Sequence, residues 1–173
     1  MKTFLIVDGY NVIHIWAELM GIEQIRLEEA RENLIEKLNS YSSFMGYETI
    51  LVFDAYSKEN NLNREEMRGK VKVIFTEKNK TADSYIEKFV FNLPKLYTVK
   101  VVTSDYAIQR MVLAVGGERV TSKELLDAME KSSKEIRNNY RKKKENDRNK
   151  LEDYMDERVL AVMKELRKGN SDD

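Results

Sequence analysis

Thr3-Phe4-Leu5-Ile6-Val7-Asp8-Gly9 decides how the rest of the chain is read. From Thr3 to Val7 the run is almost wholly apolar and does not alternate, which is the pattern of a strand buried on both faces, and Asp8-Gly9 marks the turn that follows. Such strands belong to parallel sheets with helices packed on either side. Working outward, Thr49 to Phe53 repeats the pattern and closes on Asp54, Val71 to Phe75 is a third β-rich run, Val99 to Thr103 ends at Ser104-Asp105, and Glu118 to Val120 is a last short strand. Helical stripes separate them. Leu27, Ala30, Leu34, Leu38, Tyr41 and Met45 recur at three- and four-residue steps before Gly46. Ala82, Tyr85, Ile86, Phe89, Val90 and Leu93 follow Thr81 as N-cap and precede Pro94, and Ile108, Met111, Val112 and Val115 precede Gly116-Gly117. The alternation predicts an α/β fold with a central, mainly parallel sheet flanked by helices, because parallel strands need crossover connections.

Composition narrows the chemistry. The chain has 173 residues, 42% of them hydrophobic, enough for one core. Its 30 basic and 30 acidic side chains cancel, which excludes a uniformly basic nucleic-acid binder and leaves only a local concentration of charge. There is no Cys and a single His, His14, so disulfides, thiolate nucleophiles and sulfur or multi-histidine metal sites are excluded and any metal needs oxygen ligands. No apolar run approaches the roughly 18 residues that span a bilayer, and the chain is expected in the cytoplasm with no membrane partner.

From Ser122 onward the pattern changes. Leu125, Leu126, Met129, Ile136 and Tyr140 predict a helix that begins against the domain, but no apolar residue stands between Arg141 and Lys150. Between Glu130 and Lys150 nine basic residues face four acidic ones, a local net charge of +5. A second stripe of Leu151, Met155, Val159, Val162, Met163 and Leu166 follows. The reading is a domain over residues 1–129 and a basic helical extension over 130–173. Arg137, Arg141, Lys142, Lys143, Lys144 and Arg148 are candidates for contact with an RNA backbone, although charge on a helix is often only a solvated face.

Acids recur at one kind of position. Asp8, Asp54 and Asp105 stand at or just past strand ends, and Asp83 opens a helix after another strand. In a doubly wound sheet these ends share one edge, where ligands bind. An Asp after a strand is as often a turn former or cap, but four on one edge repel one another unless a cation offsets them, and oxygen donors favour Mg²⁺ or Mn²⁺. Asp8, Asp54, Asp83 and Asp105 are thus all candidate ligands, and Asn11, three residues after Asp8, is placed to orient a water or a phosphate. Such a site suits phosphodiester hydrolysis. Ser104 is read as a helix cap, His14 and Trp16 as structural residues of a short helical segment after the first loop, and Lys78 and Lys80 as phosphate contacts.

Asp8-Gly9-Tyr10-Asn11, Val52-Phe53-Asp54-Ala55, Phe75-Thr76 with Thr81-Ala82-Asp83, and Thr103-Ser104-Asp105-Tyr106 together resemble the YacP-type NYN domains, a branch of the PIN-like nucleases, over roughly Met1 to Met129. The resemblance implies a PIN-like fold and a ribosome-dependent endoribonuclease that enters the ribosomal A site and cuts the mRNA under translation; separately, the protein is expected to be a monomer. It places Asp8, Asp83 and Asp105 at the acidic metal positions, Asn11 at the polar position after the first strand and Asp54 at the second-strand acid. The competing reading is a ribosome- or RNA-binding module whose acidic site is vestigial. A phosphatase using Asp8 as nucleophile ranks below both, since Tyr10 stands where such enzymes carry a second aspartate.

Overall fold

The computed structural model describes residues 2–20, 26–54, 64–77, 80–154 and 159. Its elements run β1 (Thr3–Asp8), α1 (Gly9–Met20), α2 (Leu27–Met45), β2 (Glu48–Phe53), β3 (Arg64–Arg68), β4 (Val71–Phe75), α3 (Ala82–Asn92), β5 (Thr98–Val102), α4 (Tyr106–Ala114), β6 (Glu118–Val120) and α5 (Ser122–Tyr154). The chain divides into two compact units, Met1–Ser133 and Lys134–Asp173.

Within Met1–Ser133 the six strands lie in the order β3-β4-β2-β1-β5-β6, parallel throughout except for β3 against β4. The strand runs are solid because both faces are covered. Leu5 and Val7 of β1, with Leu51 and Phe53 of β2, pack under α1, α2 and the start of α5 through Val12, Ile13, Leu34, Leu38, Leu125 and Met129. Ile6, Ile50 and Val52 point the other way, under Ile86 and Val90 of α3 and Ile108 and Val112 of α4. Each fully buried Leu or Ile contributes on the order of 2 kcal/mol from apolar burial. Among the described residues no helix is long and apolar enough to cross a membrane.

The predicted α/β sheet with helices on both faces is present, and so are the predicted stops. Gly46 ends α2 with φ 71, in the left-handed region that favours glycine, and the Thr81 side chain accepts from the Ser84 amide to cap α3. Three expectations need correcting. No loop follows β1, because α1 starts at Gly9 directly after Asp8. A Cβ on Gly9 would lie 2.2 Å from the Phe53 ring, so the immediate turn from strand to helix is open only to glycine. The strand β3 was not foreseen: Arg-Glu-Glu-Met-Arg has no apolar run, since an edge strand with little burial on either face needs none. Finally, Ile136 and Tyr140 do not continue the packing of Leu125 and Met129, being 37% and 70% exposed.

Candidate active site

At β1 the chain order reverses, with β2 on one side and β5 on the other. Ligands of open α/β sheets bind at such a reversal, beyond the C-terminal strand ends. Asp8 ends β1 and Asp105 follows β5, so they flank this crevice, while Asp54 follows β2 and Asp83 stands in the first turn of α3.

Three of the four acids are each held by a backbone amide at a helix start. Asp8 accepts from the Asn11 amide at 3.2 Å, Asp54 from the Ala82 amide that opens α3, and Asp105 from the Ile108 amide at 2.9 Å as the N-cap of α4. The cap of α4 is thus Asp105, not Ser104. Three helix N-termini, with their partial positive charge, therefore meet at this edge.

The electrostatics tie the acids together. Burial raises the Asp8 carboxyl to about 6, partly opposed by the Asn11 amide and reinforced by Asp83 and Asp54. Burial, Asp105 and Asp54 also raise Asp83. Among the described residues no Lys or Arg forms an ion pair with any of the four. One oxygen of Asp83, Oδ1, is buried with no hydrogen-bond partner. An uncompensated buried carboxylate oxygen amid like charges is costly, and a hard divalent cation would relieve both the repulsion and the missing partner. Carboxylate oxygens are the kind of donor that Mg²⁺ or Mn²⁺ takes. The cluster is an open one: among the described residues no three acidic or histidine side chains stand close enough to enclose an ion.

Asn11 lies beside the cluster and its carboxamide is held at both ends. Its Nδ2 donates to Ser104 Oγ, and its Oδ1 accepts from Ser122 Oγ at 2.6 Å. Ser122 was not singled out from the sequence as a site residue. The signal that could have found it is Thr121-Ser122-Lys123-Glu124, a capping box in which Thr121 and Glu124 satisfy each other's amides and leave the buried Ser122 hydroxyl without a capping task.

The proposed phosphate contacts divide. Lys80 is exposed and pairs with Glu77 at 2.7 Å, whereas Lys78 lies outside the described residues. In the unit Lys134–Asp173, Arg137, Arg141, Lys142, Lys143 and Lys144 are all exposed along α5. The Arg148 and Leu151 side chains, together with Met155, Val162, Met163 and Leu166 of the last apolar stripe, are likewise outside the described residues. Exposed Val159 does not by itself mark a core. His14 is exposed on α1, and the Lys37 ammonium sits 5.4 Å from the centre of the Trp16 ring.

A mostly parallel α/β sheet with four interacting acids at its switch point defines a nuclease-type domain of the NYN, PIN-like class, whose members generally use divalent metals. The chain belongs to the family of the YacP-like NYN domain, whose model matches residues 5–168. It is 36% identical over 170 residues to "Uncharacterized protein YacP" of Bacillus subtilis (strain 168), covering 97% of this chain and 98% of that protein. It is also similar to the crystal structure of Rae1 (YacP) from Bacillus subtilis, with TM-score 0.68 and 34% identity over 98% of this chain and 97% of that one. A mutant of the same B. subtilis protein gives TM-score 0.65 at 36% identity over 80% of this chain and 81% of that one.

Proposed function

We propose that this protein is a metal-dependent endoribonuclease that cuts mRNA within the A site of translating ribosomes. The observation that carries the nuclease reading is the convergence of Asp8, Asp54, Asp83 and Asp105 on one sheet edge, with Asp83 Oδ1 buried and unbonded. Family resemblance supports the ribosome and mRNA as partners, and the exposed cations of α5 supply a surface of the right sign for an RNA backbone.

Asp8, Asp83 and Asp105 would hold Mg²⁺ or Mn²⁺, with Asp54 at their side. When bound, the ion supplies a lowered pKa for water and a counter-charge for the phosphoryl oxygens. The chain's own residues do the rest. The amides at the starts of α1, α3 and α4 fix Asp8, Asp54 and Asp105, and the helix N-termini favour the approach of an anionic phosphate to an otherwise acidic edge. Water is the nucleophile: its oxygen bonds to phosphorus, the P–O3′ bond breaks, and the products are a 5′-phosphate and a 3′-hydroxyl. Among the described residues no His or Lys pair stands at the edge to drive attack by the 2′-hydroxyl, and a 2′,3′-cyclic phosphate end would refute this chemistry.

The test is cleavage-site mapping of an mRNA on translating ribosomes, comparing the unaltered protein with Asp83→Asn, with and without chelator. Cuts that vanish in the variant and in chelator are expected. Ribosome binding without cuts would instead establish the binding module, to which the exposed basic helix is equally suited.

A further inference from the structure

The helix α3 packs over β2 and β1, and on its other flank, where Lys72 of β4 stands near the Tyr85 hydroxyl, the surface is concave. A groove of about 500 Å³ is floored by Tyr85, Phe89 and Leu93, which recur at four-residue steps along one side of the helix, and is bordered by Lys80, Ser84 and Lys88. Tyr85 and Phe89 are half-buried, and their rings are nearly parallel, inclined by 17° with centres 6.5 Å apart. The groove opens in the first turn of α3, where Ser84 follows Asp83, and accompanies the helix for about 13 Å to Leu93. Lys80 pairs with Glu77, whereas Lys88 is exposed and forms no ion pair among the described residues.

Aromatic floor and cationic rim together select the occupant. Protein interfaces are depleted of lysine, whereas grooves that hold single-stranded nucleic acid combine stacking aromatics with cations, because a base is apolar on its face and its backbone is anionic. The position agrees with the chemistry: a strand with one phosphate at the acidic edge lays its next nucleotide on an adjoining surface, and this groove begins one residue from Asp83. We propose that the groove along α3 is a nucleobase subsite, taking the base of a nucleotide that flanks the scissile phosphate against Tyr85 and Phe89, with Lys88 beside the following phosphate. This rests on the nuclease reading above. Stacking accepts any base, so the subsite anchors the strand and does not read its sequence.

The experiment titrates the full chain, in chelator so that nothing is cut, with short single-stranded RNAs that each carry 2-aminopurine at a different position, a base whose fluorescence is quenched when it stacks. Quenching is expected at one position. Tyr85→Leu, which keeps apolar bulk and removes the ring, should relieve it and weaken binding about tenfold, the worth of one stacked base, while Tyr85→Phe should retain both. Lys88→Gln should keep the quench, bind more weakly and lower the log–log salt slope by about 0.7. Melting temperatures of Tyr85→Phe and Lys88→Gln should hold, so these two read the groove even where Tyr85→Leu folds poorly. The absence of a quenched position, a quench that survives Tyr85→Leu, or Lys88→Gln with unaltered affinity and slope would each overturn the proposal. So would a dimer in sedimentation that Tyr85→Leu dissolves, which would give the groove to a second copy of the chain. Cleavage of ribosome-bound mRNA with Mn²⁺, measured in parallel, separates the two readings. Cuts that depend on Asp83 without any quench keep the nuclease and overturn the subsite, whereas the expected quench without cuts ends the nuclease reading and leaves the groove as an RNA-binding site.

Discussion

Asp83 combines a buried oxygen that lacks a partner with carboxylate neighbours on two sides, and Asp8 shares its field. A raised carboxyl means that the folded state holds its proton more tightly than the unfolded chain does. The contribution of Asp8 to the stability of the metal-free protein is therefore greatest at low pH and falls as pH rises from the ordinary carboxylate value of 3.8 through about 6. For Asp8 the loss amounts to about 3 kcal/mol at most. Asp8→Asn keeps an acceptor for the Asn11 amide and removes the charge. Thermal melts should accordingly show it more stable than the unaltered protein at pH 7.5, equal to it near pH 4, and inactive. Saturating Mn²⁺ should raise the melting temperature of the unaltered protein at pH 7.5 and leave that of Asp8→Asn nearly unmoved. The acids were legible in the sequence because each sits at a strand end or helix start, which a single chain displays. What holds Asn11 was not, since its partners stand 93 and 111 residues away and only the folded sheet brings them together.

Among the elements, the junction between β1 and α1 is the most constrained. Gly9→Ala would drive a methyl group into the Phe53 ring, and overpacking of this kind costs about 3 kcal/mol. Phe53→Leu in the same chain should recover part of that loss, whereas two independent lesions would simply add, and urea melts of the two single variants and the double variant distinguish these outcomes. Thr121→Ala should cost about 1 kcal/mol by removing the cap of α5. Helices and buried strands could be read from periodicity, and Gly46 and Thr81 from their end-of-helix chemistry. Strand β3 could not. Its exposed residues pair as Arg64 with Glu66, Glu65 with Lys72, and Arg68 with Glu32 and Glu66, so its sequence carries surface chemistry and no hydrophobic signature.

For the whole molecule, alternation of strand and helix specified the class of fold, but not the order of strands, which depends on which side of β1 each crossover takes. Likewise the sign of the charge on α5 was legible, while its use is a matter for binding measurements. Reversing Arg141, Lys142, Lys143 and Lys144 to Glu should weaken ribosome association and flatten its salt dependence. For single-stranded RNA the loss is about 0.7 in the log–log slope for each phosphate contact removed. Sedimentation with ribosomes across a salt series would read both, and an unchanged affinity and slope would reduce the segment to a solvated helix.

The strand order also has a consequence for how the protein is made. Thr3–Asp8 is the first strand in chain order, yet it lies between β2 and β5, and its partners on the β5 side span Thr98–Val102. During synthesis this strand must therefore wait, with one edge open, for about a hundred residues to be added, at translation speeds of about 5–20 residues per second. Nascent chains halted near Pro94 should remain protease-sensitive and bind chaperones, and protection should come only once β5 has cleared the exit tunnel. In this fold the earliest sequence to be synthesised is among the last to be secured.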